Sequence, residues 1–213
     1  MNEAQLKLLK SLNIELDKNK SELFEKYMQI FLDKNSFINL ISKNDAKLLF
    51  EKHVYDSLAI NLFLKPKNNE SLLDIGTGGG FPSVPIAILY ENLNICPIDS
   101  IRKKINVIEE IKIELSLKNI FPICDRAENV RNKYDYVTTR AVASLDIILK
   151  YAIPKLKDNG YFIAYKSQKA EDELKEAQKT MKTLKVEIAD VIEYTLPLEE
   201  IHKRKLIIFK KIN

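Results

Sequence analysis

Short apolar runs alternate with longer, helix-like segments from residue 71 onward. The apolar runs lie at 72–75, 95–98, 120–124, 136–139 and 161–165. Runs of this length are typical of buried strands, and the segments between them are long enough for helices. Strands that alternate with helices indicate repeated βα units, whose strands pair in parallel. The pattern therefore predicts an α/β fold with a mainly parallel sheet and helices on both of its faces.

The segment 101–117 has the clearest helical periodicity. Its apolar residues recur three and four positions apart, so they share one face of a helix. They are Ile101, Ile105, Ile108, Ile111 and Leu115. Serine is a favoured N-cap because its hydroxyl accepts a hydrogen bond from a free backbone N–H of the first turn. We therefore expect a helix over 101–117 with Ser100 as its N-cap.

The two ends of the chain depart from the βα pattern. Residues 1–64 carry helical periodicity and are predicted to form a helical N-terminal extension, and the polar segment 65–70 opens the main domain at 65–213. Alternation at 184–188 and an apolar run at 206–209 predict a terminal antiparallel pair. The basic residues 203–205 are interpreted as charges that keep an edge strand from pairing with other chains.

Composition and charge limit the class of protein without identifying a partner. The 213 residues are 46% hydrophobic and 30% charged, as in ordinary globular domains. No apolar run approaches the ~20 residues needed to cross a bilayer, and the first residues lack the order of a secretory signal. We therefore expect a cytoplasmic protein without a membrane partner. The net charge of +4 permits an anionic partner but is equally normal without one.

Neither a metal site nor a disulfide is predicted. The two cysteines, Cys96 and Cys124, lie in separate short apolar segments, without CxxC spacing or a nearby histidine cluster. The chain also has only two histidines and no nucleophile–histidine constellation.

Four of the five glycines in the chain occupy one loop. The run 76–80 follows the apolar segment that ends in Asp74-Ile75, and it opens onto a helix start marked by Pro82. A tight turn needs only one or two glycines, whereas a loop bare of side chains can bring its backbone N–H groups against a ligand. A phosphate-binding P-loop is disfavoured because no Gly-Lys-Ser/Thr follows, and Phe81 breaks the dinucleotide motif. The loop better suits S-adenosylmethionine, whose amino group the Asp74 carboxylate would attract.

Two acidic segments follow at the ends of the next apolar runs. Asp99 stands where doubly wound nucleotide-binding folds place the carboxylate that accepts the ribose hydroxyls, although a helix-capping role is an alternative. The segment 125–128 falls where a loop at the carboxyl edge of the sheet would meet the adenine.

With these residues in view, the chain resembles the RsmG/GidB family, bacterial enzymes that methylate a guanine N7 in 16S rRNA. The resemblance rests on seven blocks in the family's order. They are Asn39-Leu40, the segment 53–58, the segment 74–82 with Pro85, Asp99-Ser100 with Lys103-Lys104, Ala127-Glu128, Arg140-Ala141, and Lys166. Lys52, Ser83 and Ser167 depart from the residues usual in the family.

The resemblance implies a Rossmann-like class I S-adenosylmethionine-dependent methyltransferase fold. It implies methyl transfer to N7 of guanine 527 of 16S rRNA, in the small ribosomal subunit or an assembly intermediate, with S-adenosylhomocysteine as the other product. The implied cofactor contacts are Gly76, Phe81, Ala127, Glu128 and Arg140, with Asp99 on the ribose; Asp74 and Gly78 belong to the same glycine motif. The alternatives are a methyltransferase for a small molecule or a protein, and a non-catalytic cofactor-binding module on ribosomal particles.

Basic residues near the carboxyl edge of the sheet are candidates for RNA contact. Lys103 and Lys104 lie in the first turn of the predicted helix, where cations oppose the helix dipole. We hypothesise that they contact rRNA phosphates together with Lys166 and Arg140, the last two being positioning candidates. A solvated surface is an equal alternative for Arg102 and Lys103.

Two further expectations concern the assembly of the chain. His53 and Asp56 are three positions apart on a predicted helix, so we expect them to hydrogen-bond to each other and to fix the extension against the sheet. No pattern indicates an oligomeric interface, and a monomer is expected.

Overall fold

The computed structural model of the protein describes residues 1–168 and 170–212. The predicted α/β fold is confirmed: a seven-stranded sheet has the order β3-β2-β1-β4-β5-β7-β6. Its strands are β1 Ser71–Ile75, β2 Asn94–Asp99, β3 Ile123–Cys124, β4 Tyr134–Arg140, β5 Leu156–Lys166, β6 Val186–Leu196 and β7 His202–Lys211.

Strands β1 to β5 run parallel, and their shared direction positions the functional residues. β1 lies between β2 and β4, with Ile75 opposite Ile98 on one side and Thr139 on the other. The residues that end these strands, among them Asp99 and Arg140, therefore meet at one edge of the sheet. Ligands of open parallel sheets bind outside this carboxyl edge.

The C-terminal strands confirm the predicted antiparallel pair and correct one interpretation. β7 is antiparallel to both of its neighbours, β5 and β6. The residues 203–205 therefore do not lie on an edge strand, because β6 forms the edge and covers β7. Lys205 is opposite Lys166. The basic start of β7 thus lies at the carboxyl edge of the parallel strands.

Helices cover both faces of the sheet, as predicted. They are α1 Glu3–Lys10, α2 Lys18–Ile38, α3 Lys43–Ala46, α4 Tyr55–Leu58, α5 Ser83–Leu89, α6 Arg102–Glu114, α7 Leu145–Ala152 and α8 Ala170–Leu184. The N-terminal helices, α5 and α6 pack into the core on one face, and α7 and α8 pack on the other. Among the helices of the described residues, none is long and apolar enough to span a membrane.

Two local predictions need correction. The apolar face of α6 is buried at Ile105, Ile108 and Ile111, but the helix begins at Arg102 and Ser100 does not cap it. Asp99 does not cap it either, because its Oδ1 accepts a hydrogen bond at 2.9 Å from the N–H of Ile101, the N-cap residue itself, and not from an N–H of the first turn. The third strand is also shorter than the apolar run 120–124: it spans Ile123–Cys124.

Candidate functional site

The glycine loop that follows β1 leaves space for a ligand. Gly76, Gly78 and Gly80 all have positive φ, a conformation that side-chain-bearing residues rarely adopt. A Cβ at Gly76 would lie 2.5 Å from the Val142 side chain, so protein packing alone requires a glycine there. A Cβ at Gly78 would meet no atom within 4 Å. The space beside Gly78 is therefore open to a bound molecule.

A cavity of about 460 Å³ lies over the ends of β1 and β2, and we call it the glycine-loop cavity. It brings together four residues predicted to contact the cofactor: Gly76, Asp99, Ala127 and Glu128. Apolar side chains such as Ile98 and Ile148 and further polar side chains such as Ser100 and Tyr151 complete its lining. Ligand pockets combine apolar walls with polar groups that fix the orientation of the ligand. The cavity fits an adenosine-bearing ligand.

Two backbone hydrogen bonds hold Asp99 in this cavity. Its Oδ2 accepts from the Gly78 N–H at 3.1 Å, and its Oδ1 accepts from the Ile101 N–H. A carboxylate has about four acceptor positions, so two remain for ligand hydroxyls. Asp99 thus orders the turn before α6 without capping the helix, so the structure does not bear out the helix-capping alternative. Lys104 lines the same cavity, with its Nζ 3.7 Å from the Asp99 carboxylate.

Asp74 lies beneath the glycine loop and does not reach the cavity lining. Its side chain is buried, and its Oδ2 accepts a hydrogen bond from the Ser83 hydroxyl at 2.8 Å. Burial raises the pKa of the Asp74 carboxyl to about 7. Ser83, a departure from the family pattern, therefore supplies a donor to a buried acid. Asp74 supports the loop from below.

Phe81 is also buried, below the guanidinium of Arg140. The Arg140 Cζ lies 5.3 Å from the centre of the Phe81 ring, within cation–π range. On its other sides the ring packs against His53 and, edge-on, against Phe31 of α2. Phe81 therefore connects the glycine loop with both Arg140 and the N-terminal extension.

Arg140, at the end of β4, binds the N-terminal extension. Its Nη1 donates to the Lys52 carbonyl at 3.1 Å and to Asp56 Oδ2 at 2.9 Å. Its Nη2 lies 2.8 Å from His53 Nδ1. The predicted direct bond between His53 and Asp56 is wrong, because each side chain is bound to Arg140 instead. The expected attachment of the extension to the sheet is made through this guanidinium.

The same contacts determine the state of His53. Arginine only donates hydrogen bonds, so Nδ1 accepts and the imidazole proton is assigned to Nε2. Burial, together with the nearby Arg140 charge, lowers the pKa of His53 to about 4. The imidazole is therefore neutral near pH 7. A π-helical turn, Phe50–Val54, carries His53 to this position.

A second cavity, of about 730 Å³, adjoins the first, and we call it the cationic cavity. Its basic lining residues are Lys52, His53, Arg140, Lys166, His202 and Arg204. The two predicted positioning residues, Arg140 and Lys166, thus come together here, and Ser167 lies beside them. Residues 141–143 line both cavities. Lys103 is exposed on the first turn of α6 and lines neither cavity.

Comparison with known proteins identifies relatives over nearly the whole chain. The model of the family described as rRNA small subunit methyltransferase G matches residues 20–202. A ribosomal RNA small subunit methyltransferase G from Lachnoclostridium phytofermentans is 37% identical over 210 residues, covering 96% of this chain and 86% of the relative. The protein of the same name from Bacillus subtilis is 36% identical over 93% of this chain and 85% of its own length.

A solved structure supports the fold independently. TYW2 of M. jannaschii in complex with AdoMet aligns with a TM-score of 0.57 and 19% identity, over 68% of this chain and 71% of that protein. At this identity the match concerns the fold alone. The Rossmann-like class I methyltransferase fold is confirmed.

Proposed function

Since the chain belongs to the rRNA small subunit methyltransferase G family, we propose that it transfers the methyl group of S-adenosylmethionine to N7 of a guanine in 16S rRNA. The observation that carries the proposal is the pair of adjoining cavities at the carboxyl edge of the sheet. One cavity fits the cofactor, the other is lined by cations, and residues 141–143 belong to both. A donor and an acceptor in these cavities would meet along that shared wall.

The cofactor is proposed to occupy the glycine-loop cavity. Its methionine portion would lie over Gly76 and Gly78, with Asp99 accepting hydrogen bonds from the ribose hydroxyls. Ala127 and Glu128, on the loop after β3, would contact the adenine. Asp74 and Phe81, which are buried beneath the loop, would act by fixing its backbone. Arg140 lines the cationic cavity and not the glycine-loop cavity, so it would support cofactor binding indirectly, through Phe81 beneath the loop.

The chemistry requires positioning rather than proton transfer. S-adenosylmethionine supplies an electrophilic methyl group: the N7 lone pair forms the new N–C bond as the S–C bond breaks, which leaves S-adenosylhomocysteine. N7 of guanine carries no proton, so the site needs no general base. The neutral, Arg140-bound His53 is consistent with this requirement. Correct orientation alone can remove about 7–11 kcal/mol of a bimolecular barrier.

The RNA is proposed to lie across the cationic cavity and the start of α6. Lys166 would contribute from the cavity, although Glu173 holds its Nζ at 2.7 Å, and Lys103 would contribute from the exposed face of α6. Lys104 lies between Asp99 and the helix surface, so it would contact RNA close to the cofactor. We propose that the chain acts as a monomer on the small subunit or an assembly intermediate in the cytoplasm.

The proposal is tested by locating the transferred methyl group. Purified protein is incubated with methyl-labelled S-adenosylmethionine and either small ribosomal subunits or free 16S rRNA, taken from a strain that lacks the endogenous activity. Nuclease digests are then analysed for 7-methylguanosine. We expect label in that nucleoside at one position, and less label with the Asp99→Ala variant when the cofactor concentration is below saturation. Label in another nucleoside, in protein, or in neither RNA would contradict the proposal.

A further inference from the structure

Arg204 is placed in the cationic cavity by the register of the C-terminal strands. It lies opposite Tyr194 of β6, two residues before Leu206, which is opposite Tyr165 of β5. Successive side chains of a strand point to opposite faces. Arg204 therefore shares the face of Tyr194 and Tyr165, on the side of the N-terminal extension, and lines the cavity there.

The other long cations of the cavity are already paired with carboxylates. Lys52 is 2.8 Å from Asp45, Arg140 is 2.9 Å from Asp56, and Lys166 is 2.7 Å from Glu173. Within residues 1–168 and 170–212, no carboxylate forms an ion pair with Arg204. Its Nε is buried and, within the same residues, has no hydrogen-bond partner. Arg204 is thus a cation in a cavity with unused donors.

The geometry of a guanidinium indicates which ligand would use these donors. Arginine presents its N–H groups in a planar fork that matches the oxygens of a phosphate or carboxylate. The Nε is shielded from the cavity, so an anionic oxygen in the cavity would be bound by the Nη groups at the end of the guanidinium. Arg204 lines only the cationic cavity and not the glycine-loop cavity. The anion therefore belongs to the acceptor side of the site.

We propose that Arg204 binds a backbone phosphate of the acceptor nucleotide and thereby orients its guanine toward the shared wall at residues 141–143. This inference rests on the proposed function, because it takes the acceptor to be RNA. It makes Arg204 a substrate-binding residue. Lys52 and Arg140, held by their carboxylates, shape the walls of the acceptor site, and Lys166 adds a second cation there.

The test compares Arg204→Gln and Arg204→Lys with a matched control, Lys210→Gln. Lys210 lies on the same strand and the same face, six residues away and about 20 Å toward the opposite edge of the sheet. The Gln variants remove the same charge. Binding of guanosine 5′-monophosphate and of guanosine is measured directly by calorimetry or ligand-observed NMR, and methyl transfer to small subunits is measured across a salt series.

Wild type and Lys210→Gln should prefer the nucleotide over the nucleoside by about tenfold or more, as expected for a charge-assisted phosphate contact. Arg204→Gln should lose that preference, and Arg204→Lys should keep part of it. Arg204→Gln should also raise KM for small subunits by about tenfold and lower kcat, because a misoriented guanine reacts more slowly. The slope of log K against log salt should fall by about one.

The outcomes separate the inference from the proposed function. If wild type methylates 16S rRNA but Arg204→Gln and Lys210→Gln behave alike, the inference is overturned. If Arg204→Gln weakens the binding of S-adenosylmethionine as much as the binding of the nucleotide, the anion at Arg204 is the cofactor carboxylate and the inference also fails. If the nucleotide preference depends on Arg204 while no RNA is methylated, the phosphate site stands and the proposed function fails. Should Arg204→Gln not fold, Arg204→Lys decides by the same criteria.

Discussion

The ion pair between Asp56 and Arg140 gives the sharpest test of how the extension is attached. Both side chains are largely buried, with 5% and 15% of their surface exposed, and the charged atoms are 2.9 Å apart. At an effective dielectric constant of about 20, the attraction amounts to ~6 kcal/mol, which desolvation offsets in part. Removing one partner leaves the other buried and unpaired. Asp56→Asn and Arg140→Gln should therefore each lower the free energy of unfolding by ~3 kcal/mol.

A double-mutant cycle isolates the interaction. The combined variant carries neither charge. Its loss of unfolding free energy should therefore be about 2 kcal/mol smaller than the sum of the losses in the two single variants. Urea unfolding followed by circular dichroism, without cofactor, provides the free energies. Lys150→Gln is the control, because it breaks the exposed Lys150–Asp146 pair, also at 2.9 Å, and should cost less than ~0.5 kcal/mol. Additive single losses, within ~0.5 kcal/mol, would refute the reasoning.

Three further changes test the glycine loop and the acids around it. Gly76→Ala should lower the free energy of unfolding by about 2 kcal/mol in urea titrations. Adding Val142→Ala should restore about half of that loss, because it removes the 2.5 Å contact but leaves the cost of a positive φ at residue 76. If the double variant regains no stability, the contact is not the cause. The unfolded Asp74 carboxyl loses its proton near pH 4, whereas burial raises its folded pKa to about 7. Wild type should therefore lose ~1.4 kcal/mol of stability per pH unit relative to Asp74→Asn as the pH rises from about 4 to 7, and parallel pH profiles in chemical denaturation would exclude this. Asp99→Ala should weaken S-adenosylmethionine by roughly 10–100-fold in calorimetry, and an unchanged dissociation constant would remove Asp99 from the cofactor site.

The first cavity could be predicted because local patterns determine it. Each parallel strand delivers its last residues to one edge of the sheet, so Gly76, Asp99 and the segment 127–128 were brought together by the βα order alone. What the pattern did not resolve was competition between neighbours. Asp99 and Ser100 are both residue types that cap helices and both precede α6, but the folded chain uses Asp99 to hold the Gly78 and Ile101 N–H groups, and neither side chain caps the helix.

The second cavity could not be predicted, because contacts distant in sequence form it. The Tyr194 hydroxyl donates to Asp56 across 138 residues, at 2.6 Å, and no periodicity reports such a pairing. The basic residues at the start of β7 were assigned to an edge strand because alternating residues predict that a strand forms but not which strands lie beside it. Had the pattern indicated that β7 lies between β5 and β6, Lys205 would have been placed opposite Lys166, with Arg204 next to it in the chain.

The boundary predicted at residue 64 follows a change in composition, but the segments on its two sides share one hydrophobic core. Phe24, Tyr27 and Phe31 of α2 are completely buried in the same core as Ile163 and Leu206 of the sheet. At ~1.5–3 kcal/mol for each buried large side chain, these three alone stabilise the fold by ~5–9 kcal/mol. A whole domain has a net stability of ~5–15 kcal/mol. The segment 65–213 alone should therefore not fold stably, since it would expose this core face and leave Arg140 without Asp56. Circular dichroism of that segment should show no cooperative unfolding, and a transition at the full-length midpoint would show that the extension is an independent module.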